Sequence, residues 1–477
     1  MVDYLALIPE IALIVLAGTL MIVDLSVKDE KKGNLNLISL IGFIAVFVLV
    51  LIYGKPDEAK SIWGGMLRHD WMAYTFRLVF TAGAALTVVF ARGWKSIHKR
   101  GEFYALLTIS TLGMALMSAA GDIVMLFLAI ETASIPLYIL AGFSRNDEKS
   151  VEAGFKYLLF GATTSAVMLY GFSLLYGFSG TTNLYEMAAL IKAGNVALIP
   201  LVGSIALLLV GFGFKISIFP FHFWAPDVYE GAPTPITGFL STASKAAGFA
   251  VLMRVMLVAF PESISGTWQM LFAVLSAITM TFGNLVALRQ KNIKRMLAYS
   301  SIAHAGYILM GLASGSALGV KAMVYYIAVY VLTNLAAFGF VVIYSKKFGT
   351  DNIEDYAGFS RRSPGLAFGM MFIFLSLGGI PPLGGFIAKT LVFAAAVESG
   401  LIWLAMIGVV NAVVALYYYL SVLKYVYLYR QEGDEEPMKV DKLQSTTLML
   451  SVVFVMIFGI VIAPVFDWVT EIAKVFF

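Results

Sequence analysis

The chain contains fourteen apolar segments, each of about the length that an α-helix needs to cross a lipid bilayer. A hydrocarbon core about 30 Å thick requires roughly 20 helical residues. Of the 477 residues, 60% are hydrophobic and 13% are charged, whereas about 25% of the residues of an ordinary soluble domain are charged. The sequence therefore predicts an all-α polytopic membrane protein with spans near residues 4–24, 35–53, 71–91, 103–120, 122–143, 154–178, 196–220, 235–258, 268–288, 296–313, 321–345, 365–398, 401–425 and 445–467.

Two of these spans, the seventh and the twelfth, contain helix-breaking residues. The seventh has two glycines before Pro220, and the twelfth has Gly-Gly before Pro381 and Pro382. Proline removes a backbone donor and glycine weakens the helix, so breaks are expected there, although kinks used only for packing remain an alternative. Paired interruptions five spans apart resemble the inverted repeats of transporters. We therefore predict one membrane domain over 1–477 with helices 1–3 (1–100), a first repeat of helices 4–8 (101–258), an inverted second repeat of helices 9–13 (259–428) and helix 14 (429–477).

Basic residues are concentrated in the loops that follow odd-numbered spans. Twenty of the 33 Lys and Arg residues lie there. Since Lys and Arg in short loops stay in the cytoplasm, both termini are expected on the outer side. The net charge of +4 then reflects topology and does not indicate nucleic-acid binding.

Several kinds of chemistry lack sequence support. The chain has no cysteine, so it has no disulfide and no cysteine-ligated iron–sulfur cluster. Only His304 of the four histidines falls well inside a predicted span, and neither nucleotide-binding glycine motif is present. We therefore expect no cofactor and no metal in this chain.

Five ionisable side chains are predicted deep in the membrane: Glu131, Lys215, Lys245, His304 and Lys389. A charge at that depth costs about 2.5–3.5 kcal/mol or more, so such residues usually mark an ion or proton path. Glu131 and Lys215 are expected to interact and to switch the protonation of the lysine. The alternatives are a static ion pair for these two residues and a neutral, structural role for His304.

Other charged residues receive simpler interpretations. Arg77, Arg254 and Lys156 lie towards the ends of spans and are predicted to snorkel to the membrane interface. Asp227 and Glu230 follow the seventh span. They form either a proton entrance or a rigid capped turn.

Four segments resemble a known family. They are S-V-E-A-G-F-K-Y at 150–157, F-P-F-H-F-W-A-P-D-V-Y-E-G-A-P-T-P at 219–235, N-I-K-R-M-L-A-Y-S-S-I-A-H at 292–304 and P-P-L-G-G-F at 381–386. Together they resemble the N-type, antiporter-like membrane subunits of proton-pumping NADH:quinone oxidoreductase, respiratory complex I. The resemblance extends over essentially the whole chain.

This resemblance implies functional roles for the buried charges. Glu131 and Lys215 match the family's charge pair, Lys245 its connecting lysine and Lys389 its terminal lysine, and His304 is a weaker candidate for the relay. The implied function is proton translocation coupled to quinone reduction elsewhere in the complex. A sodium/proton antiporter subunit and a purely structural spacer are the alternatives.

The resemblance also implies a setting for the chain. NADH, FMN, iron–sulfur clusters and quinone are expected in other subunits of the complex. The expected partners are antiporter-like M- and L-type subunits, the small K-, J- and A-type subunits, an H-type subunit and lipid, but no nucleic acid. The expected location is the bacterial inner (plasma) membrane, with both termini on the periplasmic side.

Overall fold

The computed structural model describes residues 2–28, 32–194, 197–260 and 265–477, and helices dominate this part of the chain. Each predicted span has a helical counterpart, so the all-α polytopic fold is confirmed. Thirteen helices within the described ranges are long and apolar enough to cross a membrane, and the twelfth predicted span is divided into two shorter helices. The counterparts are α1 (Ile8–Ser26), α2 (Leu35–Tyr53), α3 (Trp71–Ala91), α4 (Gly101–Ala119), α5 (Ile123–Ala141), α6 (Glu148–Ser179), α7 (Leu198–Ile216), α8 (Thr234–Ala259), α9 (Ser265–Ala287), α10 (Ile293–Ala313), α11 (Ala317–Phe348), α12a (Pro364–Gly378), α12b (Gly384–Glu398), α13 (Ile402–Leu428) and α14 (Lys442–Ile460).

Shorter elements connect or follow these helices. An antiparallel hairpin of β1 (Lys60–Ile62) and β2 (Leu67–His69) lies between α2 and α3. Short helices lie at Val2–Leu5, Leu184–Lys192, Trp224–Gly231, Phe359–Arg362 and Ile462–Ala473. The last of these belongs partly to the fourteenth predicted span, which therefore ends earlier as a continuous helix than the sequence indicated.

The two predicted interruptions differ in position. α7 remains helical through its glycines and ends at Ile216, where Ser217 adopts a left-handed conformation (φ 58°). Pro220 lies in the following connection to the helix Trp224–Gly231. α12 is interrupted in its middle by residues 379–383, and Gly379 has a φ of 89°.

α8 contains two irregularities that the sequence analysis did not predict. Leu240–Ser244 and Val255–Ala259 are π-helical. Such single-turn π segments are frequent at functional sites. The first segment ends immediately before Lys245, so the helix geometry changes at one of the candidate residues.

The loops form two groups, as expected when consecutive helices cross a membrane in alternate directions. Among loops after odd-numbered helices, Asn292 pairs with Asn352, and Arg92 forms a 3.5 Å ion pair with Asp441. Among loops after even-numbered helices, strand β2 pairs with Ala120 and Asp122 pairs with Asn183. We call the first group the odd-loop face.

Two arginines expected to snorkel are instead buried in ion pairs, so this prediction was wrong. Arg77 Nε lies 2.6 Å from Glu10 Oε1 and links α3 to α1. Arg254 donates to both carboxylate oxygens of Asp70 at 2.8 and 3.0 Å, and also to the Ser118 carbonyl. Both guanidinium groups remain inside because a carboxylate on another part of the chain compensates their charge.

Helices α9 and α10 approach each other closely at two glycines. A Cβ atom on Gly306 would lie 2.7 Å from the backbone nitrogen of Met280, and a Cβ atom on Gly283 would lie 2.7 Å from that of Ala303. Ser276 also donates a 2.7 Å hydrogen bond to the Gly306 carbonyl. Larger residues at these positions would force the helices apart, so the glycines fix α10 against α9.

Candidate functional site

Glu131 and Lys215 contact serines rather than each other. Ser165 on α6 donates a 2.6 Å hydrogen bond to the Glu131 carboxylate. Lys215 Nζ donates a 2.8 Å hydrogen bond to Ser134, which lies three residues after Glu131 on α5. The two residues are therefore related through α5, which carries both Glu131 and the Ser134 that Lys215 contacts. Among the described residues, Glu131 and Lys215 form no ion pair within 4.0 Å.

A small cavity separates these two serine contacts. Its volume is about 10 Å³, and its lining includes Ser134, Ser165 and Lys215. This size is near the lower limit for one water molecule, and hydroxyl groups provide suitable partners for one. A single water there would connect the glutamate side of the site to the lysine.

Lys245 is held between α8 and α10. It is 1% exposed, and its Nζ atom donates to the Ser301 carbonyl at 2.8 Å and to the Ser301 hydroxyl at 2.6 Å. Tyr330 on α11 donates to the same hydroxyl at 2.8 Å. These acceptors are neutral oxygens, so a charged Lys245 is solvated by dipoles alone.

His304 lies three residues after Ser301 and is surrounded by tyrosines. Its Nδ1 atom is 2.7 Å from the Tyr326 hydroxyl, and its Nε2 atom is 3.2 Å from the Tyr419 hydroxyl. Tyr419 also shares a short hydrogen bond with Ser300. Both ring nitrogens therefore have partners that can either donate or accept, which is the arrangement that a proton relay requires.

Lys389 on α12b reaches back to the end of α12a. Its Nζ atom donates to the carbonyls of Leu377 and Gly378 at 3.0 and 2.9 Å. It also lies 5.1 Å from the centre of the Tyr307 ring, within the range of a cation–π interaction. The break in α12 thus supplies the free carbonyls that bind the ammonium group.

The structure brings all five predicted residues into one row across the protein. Lys215 packs beside Gly248, one turn after Lys245 on α8, because a Cβ atom on Gly248 would lie 3.1 Å from Lys215 Cγ. Ser301 and His304 follow on α10, and a cavity of about 10 Å³ lies between His304 and α12. The row therefore runs from Glu131 on α5 to Lys389 on α12b.

The sequence analysis missed the tyrosines of this row. Tyr307, Tyr326, Tyr330 and Tyr419 are each no more than 3% exposed. The sequence feature that could have indicated them is their position inside apolar helices, where Tyr326 and Tyr330 lie one turn apart. Tyrosine at such positions also occurs as ordinary core packing, so the pattern alone does not identify a polar row.

A charged cluster lies beside the row at the odd-loop face. Asp227 accepts hydrogen bonds from Lys156 and Arg295, both at 2.7 Å, and Glu230 contacts Arg295 at 3.1 Å. Partial burial raises the pKa of the Asp227 carboxyl, but the hydrogen bonds and charges of Lys156 and Arg295 outweigh it and hold the pKa below its usual value. Lys156 is therefore part of this ion-pair cluster, and the same arginine binds both carboxylates.

No group of three or more His, Asp and Glu side chains in the described ranges is placed to bind a metal ion. The row is made instead of ammonium groups, hydroxyls, one imidazole and one carboxylate. Every one of these can gain or lose a proton or rotate a hydrogen bond. Proton movement is therefore the chemistry that this arrangement suits.

Comparison with known proteins gives consistent relatives. Residues 120–415 match the family described as "NADH:quinone oxidoreductase/Mrp antiporter, TM". The chain is 45% identical over 436 residues to NADH-quinone oxidoreductase subunit N of Trichlorobacter lovleyi, covering 90% of this chain and 88% of that protein. It is 42% identical over 465 residues to subunit N of Heliobacterium modesticaldum, covering 96% of both chains.

Solved structures agree with these sequence relatives. A chain of respiratory complex I from Thermus thermophilus matches with a TM-score of 0.81 at 32% identity, covering 96% of this chain and 99% of that one. A chain of the Mrp complex from Dietzia sp. matches with a TM-score of 0.86 at 19% identity, covering 100% and 97%, which shows the fold alone. The chain therefore belongs to the subunit N family of NADH-quinone oxidoreductases, the antiporter-like membrane subunits of respiratory complex I.

Proposed function

We propose that this chain translocates protons through the row from Glu131 to Lys389, driven by quinone reduction elsewhere in the assembled complex. The observation that carries the proposal is the burial of three lysines within one row of polar side chains. Lys215, Lys245 and Lys389 are 7%, 1% and 4% exposed. Buried charges are costly in a membrane protein, and a structural role alone would be served more cheaply by apolar side chains.

On the proposed path, protons enter from the cytoplasm towards Lys215 and Lys245, pass along the row and leave through Lys389. Protons pass between the lysines through Ser301, His304 and the tyrosine hydroxyls or intervening water. Movement of Glu131 relative to Lys215 changes the electrostatic stabilisation of the lysine and so alters its proton affinity. The redox cofactors and the quinone site belong to other subunits in this proposal.

The proposed setting is the bacterial inner (plasma) membrane, with both termini on the periplasmic side. Its partners there are antiporter-like M- and L-type subunits, the small K-, J- and A-type subunits and an H-type subunit. Two pseudo-equivalent repeats, 101–258 and 259–428, would place Lys215 and Lys389 in corresponding halves. α7 ends one residue after Lys215, and α12 is interrupted before Lys389, which supports this assignment.

The deciding experiment is Lys215→Ala in the assembled complex. Donor-driven quinone reduction and proton pumping are measured in sealed membranes, and assembly is checked on a native gel. Loss of both activities with intact assembly supports the proposal. Normal pumping contradicts it, and loss of assembly favours the structural-spacer alternative.

A sodium/proton antiporter function requires a separate test. Sodium binds oxygen ligands, whereas this row carries the lysines Lys245 and Lys389 at its centre and its end, which disfavours a cation site there. Sodium flux through the purified chain that depends on Glu131 would favour the antiporter. If no such sodium flux is found and pumping depends on Lys215, the proton path is favoured.

A further inference from the structure

A larger cavity reaches the tyrosine cluster from the odd-loop face. Its volume is about 100 Å³, and it lies between α9, α10, α13 and the loop that follows α11. The exposed side chains Lys291 and Glu354 line its outer part, and Ser421 and Tyr418 on α13 line its wall. A cavity of this size with polar walls has room for several water molecules, since one requires about 10–15 Å³.

Tyr418 joins this cavity to the row already described. It is 3% exposed, and its hydroxyl donates a 3.1 Å hydrogen bond to the side-chain oxygen of Asn284. Its ring lies 4.5 Å from the ring of Tyr419. Tyr419 in turn contacts Nε2 of His304 at 3.2 Å.

A buried polar group supports the inner end of this connection. Asn284 on α9 donates to the Tyr307 hydroxyl at 3.3 Å and to the Asn411 side chain at 3.2 Å, while it accepts from Tyr418. Asn284 is 0% exposed and Asn411 is 5% exposed. Buried amides are costly unless hydrogen-bonded, and here their bonds fix the position of Tyr418.

We infer that water in this cavity gives the odd-loop face a second proton access, which enters the row at His304 through Tyr418 and Tyr419. The inference rests on the proposed proton path and adds to it a site of entrance in the second half of the chain. A hydronium ion gives a proton to the Tyr418 oxygen while the Tyr418 hydroxyl rotates away from Asn284 and passes its own proton to the Tyr419 oxygen. The hydroxyl proton of Tyr419 passes to a lone pair on Nε2 of His304, leaving an imidazolium, water and two intact phenols.

Accessibility of the cavity is tested first by thiol labelling. Because the chain contains no cysteine, Ser421→Cys creates a single target in this subunit. A membrane-impermeant, positively charged thiol reagent is added to the odd-loop side of sealed membranes that hold the complete complex, and the mass of the separated subunit is measured. Labelling of Ser421→Cys is expected.

Two variants on or beside the same helix calibrate the labelling. Gln431→Cys lies in the exposed loop after α13 and identifies the odd-loop side. Leu420→Cys is the matched negative control, since Leu420 neighbours Ser421 but is 44% exposed on the outer surface of α13. Absence of labelling at Ser421→Cys, with Gln431→Cys labelled, overturns the inference.

Transport is tested with Tyr418→Phe, which removes the hydroxyl and retains the ring. Positioned proton transfer typically contributes about 10²–10⁴-fold, so pumping through this access is expected to slow at least about tenfold. The matched control is Tyr417→Phe, since Tyr417 is 67% exposed and lies outside the cavity lining. Equal pumping rates in the two variants overturn the inference.

Failure of the second proton access can be distinguished from failure of the proposed function. If Lys215→Ala pumps normally, the proposed path itself fails, whatever the Tyr418 result. If Lys215→Ala abolishes pumping but Tyr418→Phe does not alter it, only the second access fails. If Tyr418→Phe does not assemble, the pumping rate of Ser421→Cys is compared before and after labelling. Labelling blocks the cavity and should slow pumping if the cavity is a proton access. An unchanged rate rejects the access.

Discussion

Nζ of Lys389 lies 2.9 Å from the carbonyl oxygen of Gly378, the last residue of α12a. The C-terminal end of a helix carries a partial negative charge, which stabilises a nearby cation by about 0.3–1 kcal/mol at exposed sites and up to about 2 kcal/mol when partly buried. Lys215 occupies the last turn of α7. Both lysines are therefore placed where helix ends compensate part of a buried charge without a fixed carboxylate contact.

Gly379→Ala should displace Lys389 and reduce pumping. Gly379 has a φ of 89°, and a Cβ atom there would lie 2.9 Å from Lys389 Cδ. A left-handed conformation costs a residue with a side chain about 1–2 kcal/mol, in addition to this clash. We expect a complex that assembles but moves fewer protons for each quinone that it reduces. The ratio of protons moved to quinone reduced is the measurement.

Gly365→Ala provides the matched control for that substitution. Gly365 lies near the start of α12a, the half-helix that ends just before Gly379, and a Cβ atom there meets no atom within 4 Å. It should pump normally. Indistinguishable pumping by the two alanine variants would contradict the assigned role of the break in α12.

Ser165→Ala should weaken the coupling between Glu131 and Lys215. It removes the 2.6 Å hydrogen bond to the carboxylate, and a hydrogen bond to a charged group is worth about 1.5–3 kcal/mol. Without this donor the carboxylate is no longer held in place beside α6, so pumping should slow by roughly tenfold or more. The pumping rate is measured in sealed membranes at constant quinone concentration.

The control for Ser165 lies on the same helix. Ser173 is exposed and hydrogen-bonds only to the Leu169 carbonyl of its own helix. Ser173→Ala should keep the native pumping rate. An unchanged rate in Ser165→Ala would show that this serine does not position Glu131 for transport.

Ser301→Ala should impair the centre of the row. It removes the hydroxyl that binds both Lys245 and Tyr330 but keeps the carbonyl that also accepts from Lys245. The loss of one charge-assisted hydrogen bond, about 1.5–3 kcal/mol, should slow pumping by roughly tenfold or more with assembly retained. Ser314→Ala, at the end of α10 and bonded to its own helix, should have no such effect on the pumping rate.

Asp70→Asn should lower the stability of the folded protein without acting on proton transport directly. It leaves the buried Arg254 guanidinium unpaired, and breaking a buried ion pair typically costs about 3–5 kcal/mol. Burial raises the pKa of Asp70, but Arg254 outweighs it, so the pKa in the folded protein lies below the usual value of 3.8. The stabilisation is therefore present above pH 3.8 and is lost as the pH falls through the lower folded-state pKa.

Thermal unfolding of the purified complex at several pH values checks this prediction. At a fixed heating rate, Asp70→Asn should unfold at a lower temperature than the native protein at neutral pH, and the difference should shrink only in strong acid. Asp57→Asn, in an exposed loop, should match the native protein throughout. A difference between Asp70→Asn and the native protein that disappears near pH 6 would exclude the ion pair as its source.

The sequence was sufficient for the helices and for the charged members of the row. Length and apolarity identify a span without knowledge of its neighbours, and Pro381 marks the break in α12 because proline cannot complete the helix ladder. Lys215, Lys245 and Lys389 stood out because charges are rare in such segments. These features are local, so a single sequence reveals them.

Features that depend on tertiary contacts could not be predicted from the single sequence. Arg77 and Arg254 were predicted to snorkel, since their partners Glu10 and Asp70 are distant in sequence. The π segment before Lys245 carries no proline and reads as ordinary helix. The hydroxyls between the charges, such as that of Tyr330, become functional candidates only when the fold brings them together.

The glycine contacts between α9 and α10 bear on what can move during transport. Because Gly283 and Gly306 leave no space between the two backbones, the helix that carries Ser301 and His304 cannot slide or tilt without a clash. On the proposed path, the switching elements are then the lysine side chains, the hydroxyls and water, which reorient around a fixed backbone. Proton transfer on that path relies on side-chain rotation and not on helix displacement, and a bulkier residue at either glycine would move the backbone of α10 before it altered any proton donor.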